Sequence, residues 1–196
     1  MESTIQNKQP EEPKQQKKQL TRQDYLKRYV KPHRKKCHTV KEEHLPRLIK
    51  EAHIMYNLCF TQRGKYPSAF AIAHPQITKK KPLRFFVTAK QEIIINPIIK
   101  QHTGSICDCQ SAINCTHSKH FSYENEGCMT FPDRLLITVP RWIKCEVEFN
   151  TLKKDGSLSE RMTKNLSGKE ARIFQHEIDH LNFIYIYDIE KGGETK

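Results

Sequence analysis

His176-Glu177-Ile178-Asp179-His180 constrains this 196-residue chain more than any other segment. Around it Phe174, Ile178 and Leu181 recur at helical spacing, so the segment reads as a helix with one apolar face. Residues four apart lie one turn apart on the same face, so both imidazoles can reach a single metal ion. Glu177, next to the first histidine, is placed to act on a water molecule as a general base rather than as a ligand. The plain alternative is two surface histidines on a charged helix. Ser167-Gly168-Lys169-Glu170 reads as a capping box that opens this helix, which runs to about Asn182. If a metal is held here, a third ligand must come from elsewhere in the chain.

The rest of the pattern is that of an antiparallel α+β domain. Leu45, Leu48, Ile49, Ala52, His53, Met55, Tyr56 and Cys59 give an amphipathic helix over roughly 42–58. Segments rich in β-branched and aromatic residues follow at 69–73, 84–88, 92–96, 135–139 and 143–149. Lys153-Lys154-Asp155-Gly156 supplies a hairpin turn. Phe183 to Tyr187 reads as a final strand.

Charge divides the chain. Residues 1–36 hold eleven Lys/Arg against four acidic residues, and so carry +7 of the total +12. Residues 1–19 have too little apolar surface to offset the entropy of ordering and are expected to lack fixed structure. Residues 20–36 are expected to gain a helical turn at most, stopped at Pro32. The division expected is a basic extension at 1–39, one folded domain at 40–190 with an insertion at about 101–122, and a polar tail at 191–196. The extension suits contact with a polyanion such as ribosomal RNA, whereas the remainder has the charge of an ordinary domain. No apolar run is long enough to span a membrane. Seven Cys, an odd number, fit a reducing compartment in which Cys means metal, catalysis or packing. The cytoplasm is the first expectation, with mitochondrion or plastid as alternatives. Nothing in the pattern calls for an obligate partner, so a monomer is expected.

The third-ligand candidate is Cys128 in Glu126-Gly127-Cys128-Met129-Thr130, where Gly127 allows the backbone to turn. A lone Cys is usually a small core residue; this one is distinguished by its company. Gln175-His176-Glu177-Ile178-Asp179-His180-Leu181 together with Glu126–Thr130 resembles two motifs of the peptide deformylases. Val139-Pro140-Arg141, the alternating Ile143, Cys145, Val147 and Phe149, and Asn96-Pro97 resemble further segments of that family. The resemblance covers roughly 42–190. The family's first motif survives as Ala69-Phe70-Ala71-Ile72-Ala73-His74-Pro75-Gln76, with Gln76 in place and both glycines replaced by Ala.

The resemblance implies antiparallel sheets packed around a central C-terminal helix that carries the metal-binding motif. It also implies a hydrolase that removes the formyl group from N-formylmethionyl nascent peptides and releases formate. Cys128, His176 and His180 would hold one divalent metal, ferrous iron first, with zinc, nickel or cobalt able to take its place. Glu177 would be the general base. The Gln76 side-chain amide and the Met129 backbone N–H would meet the developing oxyanion. Phe70, Ala71 and Arg141 are expected on the substrate side, with Asp179 supporting from behind the metal ligands. His74, where the family has Ala, and Phe70 would narrow the peptide groove. Phe183 stands where the family has Gly after the metal helix, and Asn182 is expected to take the left-handed cap instead.

Cys107, Cys109, Cys115 and His117 form a second cluster inside the insertion. They could hold a small structural zinc ion. Their spacing is irregular, and a loop with free thiols or a disulfide is the alternative. Cys37, Cys59 and Cys145 read as structural. The rival to an active hydrolase is a catalytically altered protein of the same fold that binds the ribosome or RNA. A metallopeptidase using the same helix is a third reading, disfavoured by the Glu-Gly-Cys and Val-Pro-Arg segments.

Overall fold

The structure, a computed structural model, describes residues 36–57, 60, 69–78, 80–103, 121–131 and 136–190. The expectations for residues 1–35, for Cys59 and for Cys107, Cys109, Cys115 and His117 fall outside the described residues. In chain order the elements are α1 (Leu45–Tyr56), β1 (Ala71–Ala73), β2 (Phe85–Thr88), β3 (Ile93–His102) and β4 (Phe121–Glu126). They continue with β5 (Ile137–Trp142), β6 (Lys144–Asn150), β7 (Met162–Ser167), α2 (Gly168–Leu181) and α3 (Ile186–Glu190). Short 3-10 turns lie at Glu42–His44 and His74–Gln76. Five strands form an antiparallel sheet in the order β1-β2-β3-β6-β7, and β4 pairs with β5 in a second, two-stranded sheet.

Side chains alternate across a strand, so one sheet can serve two cores. Phe85 pairs with Ile95, and both join Ile72 and Val87 against Leu45, Leu48, Ala52 and Met55 of α1. Phe86 pairs with Ile94, and these join Val147, Phe149 and Leu166 against Phe174, Ile178 and Leu181 of α2. The stripe expected on the second helix is therefore the buried one. Phe86 and Phe174 meet edge to face at 5.1 Å; truncating Phe174 to Ala would cost about 3–5 kcal/mol. A third cluster, Cys128, Ile137, Val139 and Ile186, packs the small sheet under α3.

Asn96 anchors the start of the domain. It sits at φ +52, in the left-handed region that Asn tolerates better than most residues. From a bulge in β3 its side chain accepts the Val40 N–H at 2.8 Å and donates to the Val40 carbonyl at 3.0 Å. The pair Asn96-Pro97 thus ties the sheet to the segment leading into α1. The expected hairpin turn is present, with Gly156 at φ +83 and its N–H donating to the Lys153 carbonyl.

Four local expectations are corrected. β4 and β7 are strands that the apolar pattern did not announce. β4 is polar along most of its length, and β7, a sheet edge, buries only Leu166; their pairing comes from the neighbouring strands β5 and β6 rather than from their own periodicity. The capping box does not form: Ser167 makes no side-chain cap, and Glu170 accepts a hydrogen bond from Lys164 at 2.8 Å. Phe183 to Tyr187 is not a strand. The Ile184 N–H reaches back to the Asp179 carbonyl, and the Phe183 N–H to that of His180, closing α2 in a Schellman motif. Phe183 itself holds the left-handed position at φ +64, while Asn182 stays at φ −101. The Asp188 carboxylate then accepts the Tyr185 N–H, half of a capping box that starts α3.

Candidate metal centre and active site

Two elements deliver the ligand cluster, α2 and the segment after β4, and the 3-10 turn after β1 joins that segment through Gln76 and Thr130. α2 carries His176 and His180 one turn apart, as the spacing demanded. β4 ends at Glu126, and the chain then passes Gly127 to Cys128. Gly127 does not use a glycine-only backbone angle, contrary to expectation. A side chain there would meet Leu136 Cδ2 at 2.9 Å, the end of an exposed side chain that can turn aside, so the structure does not require glycine here. Cys128 Sγ lies 3.3 Å from His180 Nε2, and that nitrogen lies 3.2 Å from His176 Nε2. All three ligand atoms fall within 4.8 Å of one another.

The donor set fits a divalent metal. One thiolate and two imidazoles make a three-ligand site of the open kind, with room for water or substrate. The His176 Nδ1–H donates to Glu126 Oε2 at 2.9 Å, which fixes the tautomer and leaves the Nε2 lone pair facing Cys128 and His180. The electrostatics agree. Burial opposes a charged thiolate at Cys128, but the His180 and His176 side chains outweigh it and hold the thiol well below its ordinary value. Burial likewise opposes a cationic His176, yet Cys128 and Glu126 push it up to about 10. On its own the pocket thus favours a thiolate paired with an imidazolium, and a metal would bind by taking the place of that proton.

Glu177 is 4% exposed. Burial raises its pKa, partly offset by the two histidines. Its Oε2 has no hydrogen-bond partner among the described residues, nor does His180 Nδ1. A buried carboxyl with an unsatisfied oxygen beside the ligand cluster is suited to proton transfer.

Behind the ligands lies a buried charge network. Arg141 is 4% exposed and donates to both oxygens of Glu126, each at 2.9 Å, and to Asp179 Oδ2. Arg172 donates to Glu126 Oε1 at 2.6 Å and to the carbonyls of Val139 and Ser122. Glu126 is thus held well below the usual carboxylate range, because His176 and Arg141 overcome its burial. Sequence reasoning placed Arg141 and Asp179 near the centre but missed Arg172 and the role of Glu126. The available signal was spacing, since Arg172 sits four residues before His176 on the same helix face.

The turn His74–Gln76 brings Gln76 against the segment that carries Cys128. Its Oε1 accepts the Ala73 N–H at 2.7 Å and its Nε2 donates to Thr130 Oγ1 at 3.2 Å. Met129 is half-buried against the α1 core. Phe70 is 53% exposed, with the Lys169 ammonium 3.6 Å from its ring centroid; Ala71 is buried in β1. His74 turns inward rather than narrowing a groove. Its fully buried ring stacks on Phe85, its Nδ1 accepts the Leu83 N–H at 2.7 Å, and its Nε2–H donates to Glu51 Oε2 at 2.6 Å.

Fold and donor set together define an α+β domain whose Cys/His/His cluster, carried largely on α2, is fit to hold a metal ion. The chain belongs to the polypeptide deformylase family, whose model matches residues 26–194. It is similar to peptide deformylase 2 of Bacillus subtilis, 37% identical over 84 residues that cover 41% of this chain and 43% of that protein. Similarity to the Aquifex aeolicus peptide deformylase is 36% over 104 residues, covering 53% of this chain and 48% of that one. The chain spans about half the length of the curated relatives it matches. Among solved structures, the Thermotoga maritima peptide deformylase superposes with a TM-score of 0.55 at 25% identity, covering 82% of this chain and 90% of that one. The Acinetobacter baumannii class I type b enzyme superposes with a TM-score of 0.60 at 23% identity, covering 80% of this chain and 89% of that one. No helix among the described residues is long and apolar enough to cross a membrane.

Proposed function

We propose that this chain removes the N-formyl group from formylmethionyl N-termini of newly made peptides. The observation that carries the reading is the convergence of Cys128, His176 and His180 beside the buried, unsatisfied carboxyl of Glu177. The three would hold one divalent metal, ferrous iron first, with zinc, nickel or cobalt as substitutes. Such an ion supplies Lewis-acid polarisation and a lowered pKa for water.

The chain's own groups do the rest. Glu177 takes a proton from the attacking water as a C–O bond forms at the formyl carbon, and then gives that proton to the amine nitrogen as the C–N bond breaks. The products are formate and a free N-terminus. Gln76 has two amide hydrogens, of which one goes to Thr130; the other, with the Met129 N–H, meets the oxyanion. Glu126, clamped by Arg141 and Arg172, fixes the ring of His176. Arg141 is spent on Glu126 and Asp179, which favours an ordering role over direct peptide contact. β1 is an edge of its sheet, so its outward backbone groups can pair with an extended peptide alongside Ala71, with Phe70 at the rim.

Residues 1–36, with a charge of +7, are read as a segment that contacts ribosomal RNA. The free thiols of Cys37, Cys128 and Cys145 suit a reducing compartment, the cytoplasm first. Formate release from formyl-Met-Ala-Ser by anaerobically purified, iron-loaded protein tests the activity, with Glu177→Ala alongside. Turnover in the first and its loss in the second supports it. Metal binding without formate from short or long formylated peptides overturns it in favour of a binding protein.

A further inference from the structure

A second charged feature lies apart from the metal centre. A cleft of about 880 Å³ is lined by Lys36, His38, Arg47, Glu51, Lys80 and Lys81, together with Thr78 and Pro82. The backbone explains why these residues meet. The His38 N–H donates to the Pro82 carbonyl at 2.7 Å and the Arg84 N–H to the His38 carbonyl at 2.8 Å, so the chain joins the domain alongside the lysine loop. Arg47 then clamps that loop by donating to the carbonyls of Lys81 and Lys80. The clamp holds Lys81 at φ +46, a left-handed angle that a lysine rarely takes.

Glu51, the one carboxylate in the lining among the described residues, is already engaged by Arg47 and His74. No ion pair joins Lys36, Lys80 or Lys81 to a carboxylate among the described residues. The cleft therefore displays positive charge, and its lining includes Lys36, the last residue of a stretch that holds eleven Lys/Arg in sequence.

We propose that this cleft is a docking surface for RNA, recognised through its phosphates, and that it carries the basic N-terminal segment's contact onto the folded domain. The proposal deepens the reading of residues 1–36 as an RNA-contacting segment and rests on it. A lone phosphate would be met by cations aimed at one point. Here several cations line one cleft, and Lys36 among them ends a stretch of sequence with eleven Lys/Arg, a charge density that a polyanion exploits by releasing its counterions. Among the described residues the lining has no Trp, Tyr, Phe or Leu of the kind that anchors a protein at a membrane surface.

The test is binding of a labelled single-stranded RNA by the full chain, followed by anisotropy across a salt titration. Wild type is compared with Lys36→Gln/Lys80→Gln/Lys81→Asn and with a chain lacking residues 1–35. Asn is chosen at 81 because it tolerates the left-handed angle. Removing three phosphate contacts should lower the slope of log affinity against log salt by about 2 and weaken binding at low salt at least about tenfold. Formate release should be unchanged, which also reports that the variant is folded. Wild-type RNA affinity in the triple variant overturns the cleft. If truncation alone abolishes binding, the reading of the N-terminal segment survives and the cleft does not; if wild type binds no RNA, both fall. Charge-dependent binding to phosphatidylglycerol vesicles without RNA binding would make the occupant a membrane and overturn the proposal.

Discussion

The two walls of the metal centre are built on different physical plans. On the Cys128 wall, Glu126 accepts from His176, Arg141 and Arg172, so one carboxylate is fixed by three cationic or potentially cationic side chains. On the Gln76 wall, one neutral imidazole bridges Glu51 and the Leu83 N–H, and Glu51 in turn borders an exposed cleft. The first wall is over-determined, and losing one partner leaves a buried charge uncompensated. The second is held by a neutral imidazole and by the amide of Gln76, without a doubly clamped buried charge, so losing one partner should cost less.

The largest expected effect lies between the walls. Glu177→Gln should lower formate release about 10³-fold, within the range of general-base catalysis, while metal content stays unchanged. Within the Cys128 wall, Glu126→Gln should destabilise the domain by about 3–5 kcal/mol in urea unfolding. It should also weaken metal affinity about 10–100-fold, because the His176 ring loses its orienting acceptor. A loss below about 1 kcal/mol would mean that the two walls do not differ as argued.

The Gln76 wall should respond more mildly. His74→Ala removes one bridge and should cost about 1–3 kcal/mol with metal content intact. It also carries a pH signature. Burial lowers the His74 pKa from 6.5, and the His74 hydrogen bond helps to lower that of Glu51. Below the ordinary histidine pKa the unfolded chain therefore takes up a proton that the folded chain refuses. This contribution to stability should be full above the ordinary histidine value of 6.5 and fall as pH drops below it. His74→Ala should flatten that fall, as seen by thermal unfolding; an unchanged pH profile would remove the bridge from the account. The smallest effect is expected at Phe183. Glycine there relieves a left-handed side chain but loses packing on the core, so the net change should stay below about 1 kcal/mol.

Where side chains repeat with a period, the chain was legible. The stripe Phe174, Ile178 and Leu181 is buried, and so are Leu45, Leu48, Ala52 and Met55 of α1. The i, i+4 histidines and Cys128 meet at one point, as the two motifs implied. What could not be read was pairing at a distance. β4 and β7 owe their pairing to partner strands rather than to any apolar alternation of their own. Phe183 adopts an angle its own chemistry disfavours because the end of α2 needs it. His74 read as a groove residue, and Arg172 drew no reading, until the fold supplied Glu51 and Glu126 as their partners.

The most direct test of the central claim is a paired measurement on Glu177→Gln loaded with cobalt. The account predicts a thiolate-to-metal absorption band that matches the wild type and is absent from Cys128→Ala, together with loss of nearly all formate release. A variant that keeps wild-type turnover, or a wild type whose bound cobalt shows no thiolate band, would contradict it.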